Sequence, residues 1–187
     1  MVQADSGAAD PIATTLSEDD VTAALRAFLL SILPAGTEVR LGQQNRVAAP
    51  LGLFVLMTIV VRQQIATNGS KYGTDTRTVS RQEHLTVQVS VFGPGAGDMI
   101  ERIVTLFRDT YACQFFKQER PQGDVSPLYA DDPRQTGFVN GEHQYEDNWN
   151  ADLHLQANYR FTLPQQFADS AHIDLIAAEA ASNETQS

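Results

Sequence analysis

Apolar positions along the chain change their period several times, and each change predicts an element. Val21, Leu25, Phe28, Leu29 and Ile32 recur at helical spacing and give one apolar face. Ser17 stands before that run and Glu18, Asp19 and Asp20 open it, the chemistry of an N-cap and an acidic first turn. Pro34 and Gly36 stop the helix, and Thr37 to Leu41 reads as a short strand. Leu51 to Arg62 is apolar on both faces, which predicts a long central strand covered on both sides. From Arg77 to Phe92 the pattern alternates, with Leu85, Val87, Val89 and Val91 on one face and Thr86, Gln88 and Ser90 on the other. The turn-forming Asn68-Gly69-Ser70-Lys71-Tyr72-Gly73 lies between these two strands and makes them a long hairpin.

Met99, Ile100, Ile103, Val104 and Phe107 predict a second helix. Residues 117–143 read as a long irregular segment, and a loop of that length marks a functional element or an interaction arm. Gln144 to Phe161 is the last strand. Trp149, Ala151, Leu153, Leu155, Ala157 and Tyr159 face one way; Asn148, Asn150, Asp152, His154, Gln156 and Asn158 face the other, as one solvated face of a sheet. Pro164 ends it, and residues 165–181 suit a short amphipathic helix carrying Phe167, Ile173, Leu175 and Ile176. The pattern is that of an α/β protein of α+β type. It predicts an antiparallel or mixed sheet with a long hairpin, packed against two to three helices. A single domain over 17–176 lies between a flexible N-terminus (1–16) and a flexible tail (177–187).

Composition narrows the class. With 42% apolar residues the chain is globular. Its longest apolar run, Leu51 to Val61, is too short to cross a bilayer. The N-terminus lacks a basic segment followed by an apolar one, so no secretory signal is expected. Cys113 is the sole cysteine, which excludes an intramolecular disulfide; beside Phe115 and Phe116 it reads as a small buried hydrophobe.

The net charge is −10, and it is unevenly spread: +4 across residues 37–81 and −9 across 121–187. So acidic a chain is a poor general DNA binder. The contrast suits copies that dock head to tail, basic face on acidic face, although acids also serve solubility alone.

Candidate chemistry is sparse. Gly93-Pro94-Gly95-Ala96-Gly97-Asp98 joins a strand to a helix, as nucleotide-binding turns do. The dinucleotide pattern wants a third glycine where Asp98 stands, and a Walker loop wants a lysine that is absent. Asp98 reads as an N-cap that would repel a phosphate, so Gly93, Pro94, Gly95, Gly97 and Asp98 read as a structural turn. Asp131-Asp132-Pro133 offers an acid pair for metal or acid–base work, but with no third ligand at obvious spacing a turn fits better. His84, His143, His154 and His172 lie in no metal or triad motif. No enzyme, cofactor or metal site is expected.

Three stretches carry a resemblance: "VQVSVFGPGAGDMIERIVTLFRDTYACQFF", "VSPLYADDPRQTGFVNGEHQYEDNW" and "LPQQFADS". In this order they resemble the neck or tail terminator proteins of tailed bacteriophages and prophages, over roughly residues 50–170. The most specific parts are the aromatic-Gly-Pro-x-Ala-Gly-Asp turn, with Phe92 as the aromatic, the Pro-Leu-Tyr-x-Asp-Asp-Pro loop and the Gln-Tyr-Glu-x-x-Trp strand start. Glu146-Asp147-Asn148-Trp149 departs from relatives that carry an arginine before the tryptophan.

The resemblance implies a structural virion protein at the neck, assembled in the host bacterial cytoplasm. It implies a homo-oligomer, a hexameric ring that caps the tail tube and stops its polymerisation. Its partners would be the tube protein, a head-side connector and, in a contractile tail, the last sheath ring. Genomic DNA would pass through without specific binding, and no membrane is involved. A head-completion or connector protein is the alternative, with a nucleotide-binding enzyme using the Gly93–Asp98 turn behind it. Candidate ring contacts are Arg62, Lys71, Arg77 and Arg81 on one side and Asp131 and Asp132 on the other. Tyr129 and Trp149, from the two motifs, complete the candidate interface. A ring closed by charge is expected to dissociate as salt rises, which sedimentation at low and high ionic strength would measure.

Overall fold

The structure, a computed structural model, describes residues 11–42, 52–139 and 145–165. Strand β1 (Ala13–Thr14) precedes helix α1 (Glu18–Ile32). Ser17 caps α1 as its sequence predicts. The Ser17 hydroxyl accepts from the Asp20 amide at 3.1 Å, and Asp20 Oδ2 accepts from the Ser17 amide at 2.8 Å, closing a capping box. All five predicted apolar residues of α1 are buried. Gly36, at φ 88°, makes the left-handed turn that leads to β2 (Glu38–Leu41). The hairpin follows as β3 (Phe54–Gln64), β4 (Gly69–Tyr72) and β5 (Thr76–Phe92). Helices α2 (Ala96–Phe107) and α3 (Thr110–Glu119) come next. Short strands β6 (Val125–Ala130), β7 (Arg134–Gln135), β8 (Phe138–Val139) and β9 (Tyr145–Glu146) lead to the long β10 (Asn148–Pro164).

The sheet runs in the order β1-β10-β5-β3-β2, with β4 beside β5 and with β6 and β7 beside β10. Among the described residues only β2 and β3 run parallel, so the sheet is mixed. Strands β5 and β10 pair along their full length, from Asn148 opposite Phe92 to Pro164 opposite Thr76. That register sets Leu85, Val87 and Val89 against Leu155, Leu153 and Ala151, all buried. The helices cover this face. Phe28 of α1 meets Phe107 of α2 and Phe115 and Phe116 of α3 at ring distances of 5.6–5.7 Å. Each fully buried side chain of this kind stabilises by about 1.5–3 kcal/mol.

Several expectations need correction. Helix α2 starts at Ala96 with Gly95 as N-cap, at φ 78°, and no side chain caps it; Asp98 lies inside the first turn. The helix breaks at Arg108, and Asp109 caps a separate α3 by accepting from the Tyr111 amide at 2.8 Å. Cys113, expected to be buried, is exposed on α3. Residues 117–143 are not one loop: α3 extends into them, and β6, β7 and β8 lie within them. Strand β3 is covered only in its first half, because it runs on past the helix layer. Ahead of α1, Ala13 and Thr14 of β1 pair with Thr162 and Phe161, and Leu16 is buried. The expected helix at 165–181 and the tail at 177–187 lie outside the described residues, apart from Gln165.

Gly93, at φ 96°, sits where an added Cβ would fall on the Gly52 carbonyl oxygen and lie 2.8 Å from the Gly52 carbonyl carbon. Gly36 shares the left-handed backbone but faces open space. Gly93→Ala is therefore expected to lower stability by roughly 2–5 kcal/mol and Gly36→Ala by about 1 kcal/mol, read from urea midpoints. The Ser17 hydroxyl and then its amide hold the Asp20 carboxyl below its ordinary value of 3.8. A lowered folded pKa gives stability that is present above the ordinary value and lost as pH falls. Ser17→Ala is expected to cost about 1 kcal/mol at pH 7, a deficit that shrinks in melts run below about pH 4.

Candidate assembly surfaces

The sheet face away from the helices is built from the polar half of the alternation. Ser90, Gln88, Thr86 and His84 of β5 stand opposite Asn150, Asp152, His154 and Gln156 of β10. The sequence reading takes this face as solvated, but Asn148, Asn150 and His154 are buried. The reason is that distant segments close over it. Thr136 Oγ1 accepts from the side-chain amides of Asn148 at 2.9 Å and Asn150 at 2.6 Å. Tyr129 of β6 stacks on His154, its ring centre 4.1 Å away at 17°. His154 Nδ1 lies 2.9 Å from His84 Nε2 and 3.3 Å from Thr86 Oγ1, so one imidazole donates and the other accepts. Asp131 Oδ2 approaches His154 Nε2 at 3.3 Å, within reach of an ion pair once the ring is protonated. Arg134 pairs with Asp152 at 2.9 Å.

These groups bond largely to one another, although Asn148 Oδ1, Asp152 Oδ1 and His154 Nε2 are buried without a hydrogen-bond partner among the described residues. Among the described residues no group of three or more His, Cys, Asp or Glu is arranged to hold a metal ion. Nor is any described helix long and apolar enough to cross a membrane.

The glycine turn is filled by its own chain. The Gly93 amide donates to the Asp147 carbonyl at 3.0 Å, and the Ala96 amide to the Gly93 carbonyl at 3.1 Å. A Cβ at Gly97 would lie 3.3 Å from Trp149 Nε1. Trp149 therefore packs beneath the turn, half-buried against the core, rather than standing on the surface.

Lys71, Arg77 and Arg81 sit on the part of the hairpin that outruns the helices, and Arg62 lies at its base. Arg62 of β3 pairs with Glu18 at the start of α1. It also lies near Tyr159, whose hydroxyl pKa is raised chiefly by burial. Arg81 pairs with the buried Glu83 at 2.7 Å. Arg77 donates to Ser70 Oγ at 3.0 Å and lies over the Tyr72 ring at 5.6 Å. Lys71 is exposed on β4 and makes no ion pair among the described residues. The acidic candidates lie at the other side of the sheet, just after β6. Asp131 reaches toward His154, and Asp132 accepts from Arg108 at 2.7 Å. The structure thus separates the two sets within one chain. The exposed Arg62–Glu18 and Arg108–Asp132 pairs contribute about 0–1 kcal/mol each, so their charges stay available to a partner.

The sequence reading misses two features. One is Arg120, which grips the buried Asp124 through two hydrogen bonds of 3.0 and 2.6 Å and reaches Asp20 at 3.1 Å, tying the end of α3 to the cap of α1. The Asp124 hydrogen bond is the main cause of its raised pKa. The other is a set of exposed apolar side chains on the sheet margins, Val60, Val61 and Ile65 on the hairpin and Leu128 on β6. Its signal was present in the long apolar run through Val61, which the sequence reading assigns to the interior.

The sheath/tube terminator of an extracellular contractile injection system (PVC), solved in the extended state, is similar in structure. The TM-score is 0.41 at 9% identity, covering 92% of this chain and 65% of that chain. No curated protein matches in sequence. The family of phage neck terminator proteins matches over residues 19–179, from the first turn of α1 past the end of β10. By that match, which takes in all three helices and every sheet strand except β1, the chain belongs to the phage neck terminator protein family.

Proposed function

We propose that this protein ends the tail tube at the neck of a tailed phage or prophage. Copies form a closed ring on the last tube layer, block further addition and present their far side to a head-side connector. The observation that carries the reading is the family match across residues 19–179. A structural role also fits the glycine turn, which is packed against Gly52 and Trp149.

Charge supports the same reading. Basic and acidic candidates at opposite sides of one sheet suit a heterologous contact, the kind that closes into rings. An overall charge of −10 per copy would let DNA slide through such a ring rather than hold it. In a contractile tail the outer rim would also meet the last sheath ring. The place of action is the virion neck, after assembly in the host cytoplasm.

Purified protein mixed with tail tubes of the encoding virus is expected to cap one tube end as a hexameric ring visible by electron microscopy. Protein that ignores tubes and binds the portal instead would make it a head-completion connector. Nucleotides are expected to leave the melting temperature unchanged, because a ligand bound only by the folded state must raise it. The ring is also expected to show no retention of DNA in a low-salt mobility assay.

A further inference from the structure

The hairpin leaves one margin of the sheet open. Strand β2 covers β3 only from Phe54 to Met57. Beyond that point the outer edge of Thr58–Gln64 has no strand partner among the described residues. The register with β5 shifts between Ile59 and Val61, so Val60 is the extra residue of a bulge. Val60, Val61 and Ile65 are 47%, 50% and 52% exposed along this edge. No proline interrupts it, and its one charged residue, Arg62, is engaged by Glu18. Exposed apolar side chains on an unpaired edge are the features that folded proteins usually avoid unless a partner covers them.

The opposite margin has a matching character. Strand β6 pairs with β10 on one side, and no described strand pairs with its other side. Leu128 and Tyr129 are 44% and 47% exposed there, followed directly by Asp131 and Asp132. Pro127 lacks an amide hydrogen, and the register skips Leu128. Those two irregularities spoil β6 as a template for another strand, so this margin receives side chains instead. The two margins also differ in sign. Residues 58–81 carry a net +3 and residues 121–137 a net −2.

We propose that the open edge of β3 docks onto the Leu128–Tyr129 margin of the next copy. Val60, Val61 and Ile65 cover Leu128 and Tyr129, and the positive hairpin as a whole faces the negative margin of that copy. The two patches are different and lie at opposite ends of one sheet, so the contact repeats in one direction and closes only as a ring. The apolar centre gives the contact its strength, and the charges give it orientation and speed. This inference rests on the ring reading proposed above and names its surfaces.

Replacing the one native thiol, Cys113→Ser, gives a clean background for crosslinking. In that background the double variant Val61→Cys/Leu128→Cys, mildly oxidised in the presence of tail tubes, is expected to give a ladder ending at the ring size on a non-reducing gel. Each single variant should give none. Val61→Lys and Leu128→Lys are each expected to raise the concentration needed for assembly by about tenfold or more with an unchanged melting temperature. Mixed in equal amounts they should form a dimer, because each keeps the surface that the other has lost. Self-crosslinking of the Val61→Cys variant, or lysine variants that assemble like the wild type, would overturn the proposal. Variants that form rings normally but no longer bind tubes would assign the β3 edge to the tube protein and also overturn it. A wild-type chain that forms no ring on tubes would overturn the ring reading itself, a result distinct from intact rings without a ladder.

Discussion

The pairing of β5 with β10 is the constraint on which the rest of the molecule depends. Both strands are seventeen residues long, and they are in register from end to end. Side chains alternate across a strand, so this one register decides both faces of the sheet at once. A slip by one residue would push Leu85, Val87 and Val89 to the outside and bring His84, Thr86 and Gln88 under the helices. The same register brings Phe92 beside Asn148, which lets the Gly93 amide reach the Asp147 carbonyl and aims α2 back over the core. It also fixes the length of the hairpin. The helices cover only part of a ladder this long, and the uncovered remainder becomes the arm that carries Lys71, Arg77 and Arg81.

The second consequence lies on the polar face. Burying hydroxyl, amide and imidazole groups costs free energy unless they find partners. Here the partners come from far along the chain: Thr136 for Asn148 and Asn150, Tyr129 and Asp131 for His154. The layer is thus a device for fixing the path of residues 125–136 across β10.

What was legible in the sequence was whatever local chemistry decides. Helix α1 follows from its period and its Ser17–Asp20 box, and the core half of β5 from strict alternation. The mixed sheet with a hairpin and packed helices was readable on the same grounds. What failed depended on distant neighbours. Strand β6 contains Pro127 and a bulge, so its own pattern is broken, and it is a strand only because β10 lies beside it. The polar side chains of β10 look solvated until Tyr129 and Thr136 close over them. The apolar run into Val61 says that those side chains avoid water, but not what covers them, since nothing local marks where the helix layer ends. The break between α2 and α3 was signalled by Asp109, a good cap, but the apolar period from Met99 to Phe107 gives no sign that a new helix follows so soon.

An open apolar edge and a strongly negative chain make sense together. A subunit with Val60, Val61 and Ile65 along a strand edge that has no partner among the described residues risks pairing with any other exposed strand. A net charge of −10 on every copy keeps free subunits apart at long range, where repulsion between whole molecules dominates. At contact range the local charges matter more, because salt screens what lies beyond about 8–10 Å. There the positive arm and the negative β6 margin favour one orientation over all others. On the proposed ring reading, repulsion of the whole and attraction of the parts would restrict docking to copies held in the correct relation, and a tube end that gathers several copies in a circle would supply that relation.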